Sequence, residues 1–278
     1  GELQIAFGPE NSPPDIVVAP PPPEETLEQR VRRVLDSMEA GFRPVGPGGG
    51  LRAVSVTDAD LAIIDEGGGG RWTADGANVE LARDGGTLAL VAHALLEGAQ
   101  GEAPAQLRIT TDTAFQSAVI EFSTEGARPR ALFSTAALGP LAGLDAPVTA
   151  TVSIGLDREA GVNMFEGDAS IGRGTADVGG RRFDLSGGRF HGVYDIASDE
   201  LLIDAIELAG SQTRVDGEMR VQSVSAILRA GVDEPAPFNI SLPSMRLDVP
   251  GGFPEPVALS NVHASGAIIG HERAIRFD

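Results

Sequence analysis

Acid–base and ligating chemistry in this 278-residue chain rests on four histidines and 40 carboxylates, because cysteine is absent. All 21 basic residues are arginines. Without lysine there is no Schiff-base, Ser-Lys or P-loop chemistry, and without cysteine there is no disulfide, thiol nucleophile or Cys-ligated zinc. His93, His191, His263 and His271 lie in separate segments, and no pair has the spacing of a helical or loop metal motif. Asp58/Asp60, Asp65/Glu66, Asp195/Asp199/Glu200 and Asp204/Glu207 could meet as acid/base pairs, but they fall at turns and on polar strand positions, where solvation accounts for them. The glycine clusters at 46–50 and 172–174 do not sit between a strand and a helix, so hairpin turns explain them without a phosphate. No Gly-x-Ser-x-Gly elbow occurs, and Trp72 and Tyr194 are the only large aromatics with a polar handle. These residues predict no enzyme, no cofactor and no metal.

The elements that carry them have one pattern, apolar and polar residues in alternation. From Val148 to Leu156 the apolar set is Val148, Ala150, Val152, Ile154 and Leu156, with Thr149, Thr151, Ser153 and Gly155 between. Successive strand side chains point to opposite faces, so one face is apolar and the other wet. The same holds for Ala105, Leu107 and Ile109, for Ala118, Ile120 and Phe122, and for Val215, Gly217, Met219 and Val221. Further copies are Leu3/Ile5/Phe7, Ala77/Val79/Leu81, Leu88/Leu90/Ala92, Phe165/Gly167/Ala169/Ile171, Phe238/Ile240/Leu242, Met245/Leu247/Val249 and Val262/Ala264/Gly266/Ile268. Turn residues separate them at 65–70, 83–86, 157–161, 179–180, 187–188 and 197–200, the grammar of an antiparallel meander.

Two helical segments interrupt the strands. Residues 24–39 place Leu27, Val31, Val34, Leu35 and Met38 on one stripe with Gly41 as a stop, while residues 135–144 contain Gly139, Pro140 and Gly143 and predict only a short helical break. Residues 1–50 read as a strand, a Pro-rich connector and the amphipathic helix; residues 51–278 show no linker and read as one repeating β segment. A net charge of −19 argues against nucleic acid and against an anionic membrane surface, both of which need clustered cations. No apolar run approaches the roughly 18 residues of a membrane-crossing helix, and the first residue is Gly, so a piece of a longer protein is expected.

A one-sided apolar sheet can close into a barrel, pack on a second sheet, or take an apolar ligand along its length. Inward sets rich in Val, Ile, Leu and Ala but poor in aromatics, in a meander with no evident closure, favour an open arrangement. A compact sandwich or barrel buries the same residues. Three groups of residues carry a family resemblance: Leu51 to Asp65 followed by a Gly-rich turn, Arg71-Trp72 and Ala77 to Leu81; the break from Ala136 to Leu144 running into Val148; and Arg189 to Tyr194, then Ser198 to Asp204, then Arg214 to Met219. In this order they resemble the AsmA-like family, YhdP-type, over about residues 51–278.

That resemblance implies an open, twisted β-groove (a β-taco) in a periplasmic protein tethered to the inner membrane of a Gram-negative envelope. Its anchor would lie outside these residues. The groove would conduct phospholipids toward the outer membrane, with acyl chains as partners and Leu107, Ile109, Ile120, Phe122, Val148, Val152, Ile154, Val215, Met219 and Val221 as candidate lining. No catalytic residue is carried over. A structural or scaffolding β-domain of the envelope is the alternative. The helix at 24–39 would cover the groove or pack on a sheet end.

Overall fold

The computed structural model describes residues 3–5, 15–18, 27–42, 52–65, 70–98, 101–132, 142–178, 180–211, 213–225, 235–247, 255–269 and 274–277. The Pro-rich connector, the glycine cluster at 46–50, His271 and most of the expected break at 135–144 lie outside them.

The chain is mainly β. Its strands are β1 (Leu3–Ile5), β2 (Asp15–Val18), β3 (Ala53–Asp65), β4 (Gly70–Asp84), β5 (Thr87–Gly98), β6 (Gly101–Asp112), β7 (Ser117–Ala127), β8 (Leu144–Asp145) and β9 (Val148–Asp157). They continue with β10 (Gly161–Ile171), β11 (Gly174–Val178), β12 (Arg181–Leu185), β13 (Gly187–Asp195), β14 (Glu200–Ala209), β15 (Thr213–Gln222), β16 (Ala236–Leu247), β17 (Val257–Ile269) and β18 (Ala274–Phe277). Helix α1 spans Leu27–Phe42 and α2 is the single turn Pro129–Leu132. Fifteen strands form one sheet in the order β1-β2-β3-β4-β5-β6-β7-β9-β10-β13-β14-β15-β16-β17-β18, which is not closed into a barrel. Strands β12, β11 and β8 form a separate small sheet.

The described pairing is antiparallel from neighbour to neighbour, as in the expected meander, although β7 neighbours β9 and β10 pairs with β13 across strands set aside in the small sheet, and with one difference in sense. Strand β2 joins β3 in parallel, Asp15 opposite Ala62 and Ile16 opposite Ile63. A parallel neighbour needs a long crossover, and the connector and α1 lie between these two strands in the chain. A second difference concerns Gly187 and Gly188, expected as a turn. They open β13, with Gly188 opposite both Ile171 and Leu208. A Cβ at Gly188 would lie 2.8 Å from Leu208 Cδ2 and 3.0 Å from the Glu207 carbonyl oxygen, so close strand approach, rather than a turn, requires glycine there.

The chain forms two compact units, a division no linker in the sequence marks. The first holds β1 to β7, α1 and the Val152–Met164 hairpin. Here α1 lays Val31 and Leu35, both buried, against Ala118 and Leu156, with Ile120, Ile154 and Val162 at the margin. The helix runs to Phe42, one residue past the expected glycine stop. Arg158, in the β9–β10 turn, fastens it by donating from Nη2 to Asp36 Oδ1 at 2.7 Å and Glu39 Oε2 at 2.8 Å. The second unit holds residues 135–151 and everything from Phe165 onward. Its main cluster buries Val221, Val224, Ala236 and Phe238.

Bulges keep the apolar side chains on one face over long strands. In β14 the apolar set is Leu201 and Ile203, then Ile206 and Leu208, a change of phase. Asp204 and Ala205 together oppose one residue of β15, and beyond them the apolar side chains face the same way again. In β16, Leu242 and Pro243 do the same opposite Gly217. The two runs Phe238/Ile240/Leu242 and Met245/Leu247, which read as separate strands, are therefore one strand with a proline in its bulge.

Carboxylates organise the hairpin ends. Asp112 Oδ1 accepts hydrogen bonds from the Ala114 and Gln116 backbone N–H groups at 2.8 and 3.2 Å, and Oδ2 accepts from the Ser117 N–H at 2.9 Å and its hydroxyl at 3.0 Å. Burial pushes the Asp112 carboxyl up, but these four donors together outweigh it and leave the group below the usual range. Replacing Asp112 with alanine is expected to destabilise the chain by about 1–2 kcal/mol in urea titrations at neutral pH. Because the folded value is depressed, this contribution is complete above the unfolded value of about 3.9 and is lost as pH falls through the folded one. Wild type and variant should therefore converge in stability in strong acid.

Candidate functional site

Strand register assembles the candidate lining residues into rows. In the first unit Val54, Leu81, Leu90, Ile109 and Ile120 stand opposite one another in succession from β3 to β7. The adjacent row on the same face is Val56, Val79, Ala92, Leu107 and Phe122. Each strand offers one residue per row because the side-chain period is two and the register is unbroken here. The two rows form an apolar band five strands wide.

This band is half-buried along its length, and Val56 at its margin is 46% exposed. Among the described residues, full burial on the same face is confined to its two ends. At one end α1 covers Ala118; Thr111 beside it is also buried and donates its hydroxyl to the Ser117 carbonyl at 2.7 Å. At the other end Ala103 and Ala127 are buried with Leu96 packed against them. Leu107, Ile109 and Phe122 lie between and belong to neither cluster. Ile120 and Ile154 border the helix-covered end, and Val152 is half-buried outside the clusters.

In the second unit the equivalent rows are Phe165, Tyr194, Leu201, Val221 and Phe238, then Gly167, Gly192, Ile203, Met219 and Ile240. A third row puts Ile171, Gly188, Leu208, Val215 and Met245 together. The candidates here differ in exposure. Val221 is 1% exposed and Phe238 2%, because Val224 lies over them. Asp199 fixes that cover, accepting from the Ser225 N–H at 2.8 Å, the Ser225 hydroxyl at 2.7 Å and the Tyr194 hydroxyl at 2.8 Å. Val221 is therefore a core residue. Met219 borders this cluster, and Val215 is half-buried outside it. Val148 packs with Ile171 and Ala176 on the cluster of Leu144, Ala146 and Leu185, under the small sheet.

The ten candidates thus separate into an accessible set, led by Leu107, Ile109 and Phe122, residues such as Val148 that are half-buried against a cluster, and Val221, which is closed off. Val54 and Val56 join the first set from β3. Their alternation is visible in the sequence, but only register shows that they extend the same rows.

The opposite face is mainly polar, though Leu95, Val119 and Val193 stand exposed on it, and it carries a grouping that spacing along the chain could not reveal. Asp168 of β10 is the direct cross-strand partner of His191 on β13, and the β14 bulge brings Asp204 to the other side of the ring. His191 Nδ1 lies 2.5 Å from Asp204 Oδ1 and Nε2 lies 3.4 Å from Glu166 Oε1. The Asp204 carboxylate, and then that of Glu166, raise the imidazole above its ordinary value, against a smaller opposing effect of burial. On the same face Glu218, Arg220, Asn239, Ser241, His263 and Ser265 surround a shallow hollow.

No family model, curated protein or solved structure matches the chain. Among the described residues, no helix is long and apolar enough to cross a membrane.

The division into accessible and covered residues has a measurable consequence. Val221→Ala should cost about 1–3 kcal/mol, since it leaves a cavity in a closed cluster. Leu107→Ala, at a half-buried position, should cost about 1 kcal/mol or less because much of its side chain already meets solvent. Equilibrium urea unfolding of the two variants checks the order.

Proposed function

We propose that this chain is a segment of a lipid-conducting β-groove. Its apolar band would hold phospholipid acyl chains while the headgroups remain in water. The observation that carries the reading is the band itself: two unbroken apolar rows from β3 to β7, half-exposed along their length and buried only at the ends. A chain that leaves a contiguous apolar strip uncovered offers a binding surface. An acyl chain is a suitable occupant, because each buried CH₂ contributes about 0.8 kcal/mol and no directional partner is needed. The open sheet fits an occupant that lies across many strands and moves along them.

The resemblance to AsmA-like, YhdP-type proteins points the same way and supplies the setting. That setting is a periplasmic, non-catalytic segment of a longer protein tethered to the inner membrane, passing phospholipid toward the outer membrane. The acidic surface is compatible with it, since an acyl chain held by dispersion and desolvation requires no cationic site.

Photocrosslinking tests the proposal. p-Benzoylphenylalanine placed singly at Leu107, Ile109 or Phe122 should capture phosphatidylethanolamine from vesicles several-fold more efficiently than the same group at Arg108 or Glu121 on the opposite face. Equal capture from both faces, or none from the apolar one in a folded variant, would overturn the reading. Capture of a protein in cells, with no lipid at any of these positions, would favour an envelope scaffold.

A further inference from the structure

The polar face of the second unit carries a donor set that the proposed lipid pathway does not use. Glu166, Asp168 and His191 each offer a ligand atom, and these atoms lie within 4.8 Å of one another. Two features distinguish the group from a solvated patch of acids. One donor is an imidazole nitrogen, which first-row transition metals favour and which an acidic surface does not ordinarily contribute. In addition, the ring is oriented from behind by Asp204 at 2.5 Å from Nδ1, which turns Nε2 toward Glu166. A carboxylate on the far nitrogen of a ligating histidine fixes its tautomer and increases its basicity. The bulge at Asp204–Ala205 delivers this carboxylate, a use to which bulges are often put.

We infer that Glu166, Asp168 and His191 Nε2 form a binding site for a divalent transition metal ion such as Zn²⁺, with Asp204 as the residue that positions the imidazole. Glu166 and Asp168 are exposed, so modest side-chain rotations bring all three donors to the roughly 2 Å that zinc requires. Backbone pairing holds the three donors on two adjacent strands, Asp168 directly opposite His191. Arg189, whose Nη2 lies 4.0 Å from Asp168 Oδ1, is the one cation at the group among the described residues. It competes for one carboxylate and sets no contact with the imidazole. Three protein donors leave further coordination positions for water or an anion. The inference is independent of the lipid reading, since it concerns the other face of the sheet.

Calorimetric titration of the full chain with Zn²⁺ in a non-chelating buffer tests it. One saturable site is expected, abolished by His191→Ala or Glu166→Gln and weakened about 10–100-fold by Asp204→Asn, the effect expected of an orienting carboxylate. Glu102→Gln, an acidic replacement elsewhere, should leave it unchanged. If His191→Ala fails to fold, ring resonances of the wild-type histidines decide the matter, because Zn²⁺ should shift His191 at lower concentration than His93 or His263. Absence of a saturable site, binding insensitive to Glu166→Gln, or simultaneous shifts of all three rings would overturn the assignment.

Discussion

Everything in this molecule depends on strand register. A side-chain period of two means that a slip of one residue would carry an entire apolar set to the wet face, and strands of ten to fifteen residues give a twisting sheet many chances to lose phase. The chain manages this with bulges. In β3 and β4 the left-handed residues Asp58 (φ 59°) and Gly76 (φ 69°) stand at the register shifts, and Leu61 and Ala74 beyond them rejoin Leu96 and Ala103 in one row. In the second unit Asp204–Ala205 and Leu242–Pro243 do the same work, and Asn261 (φ 53°) marks the matching irregularity in β17. Aspartate and asparagine are well suited to such positions, since they tolerate the left-handed conformation better than other side chains.

The small number of closed clusters follows from the same constraint. Among the described residues the apolar face is fully buried only where another segment reaches it. α1, which lays Val31 and Leu35 on the sheet, is held by Arg158 across the β9–β10 turn, and the Val224 cover is held by Asp199. Charged or polar bonds at its rim help to fix each cover. The burial is correspondingly local: Leu35 in the first unit and Val221 in the second are closed off, while Leu107 and Ile109 stay half-exposed.

Much of this was legible in the sequence because alternation is a local signal. The sets Leu107/Ile109, Ile120/Phe122 and Val215/Met219/Val221 each occupy one face as the pattern requires, and α1 falls where the Val31/Leu35 stripe predicts it. What failed to read through were events that depend on a distant strand. The phase break at Pro243 looked like the end of a strand because only pairing with β15 shows that it continues. Gly187-Gly188 looked like a turn because only Leu208, twenty residues on, explains the need for glycine. Val221 looked like groove lining because its exclusion from solvent comes from Val224 and Phe238, not from its own strand. The three-stranded sheet of β8, β11 and β12, whose cluster Val148 packs against, had no signal beyond short apolar runs.

The histidine shows the same limit from the side of chemistry. Metal motifs read from sequence are spacings within one helix or loop, yet a sheet brings ligands together across strands, where the separation along the chain is set by hairpin length alone. Asp168 and His191 are neighbours because β10 and β13 pair, although the small-sheet strands β11 and β12 intervene in the chain. Asp204 reaches the ring only because β14 carries an extra residue at that level. The bulge that restores the apolar phase on one face thus re-aims a carboxylate on the other. One backbone irregularity serves both surfaces, and a deletion that regularised β14 would disturb the apolar row at Ile206 and the Asp204–His191 contact together.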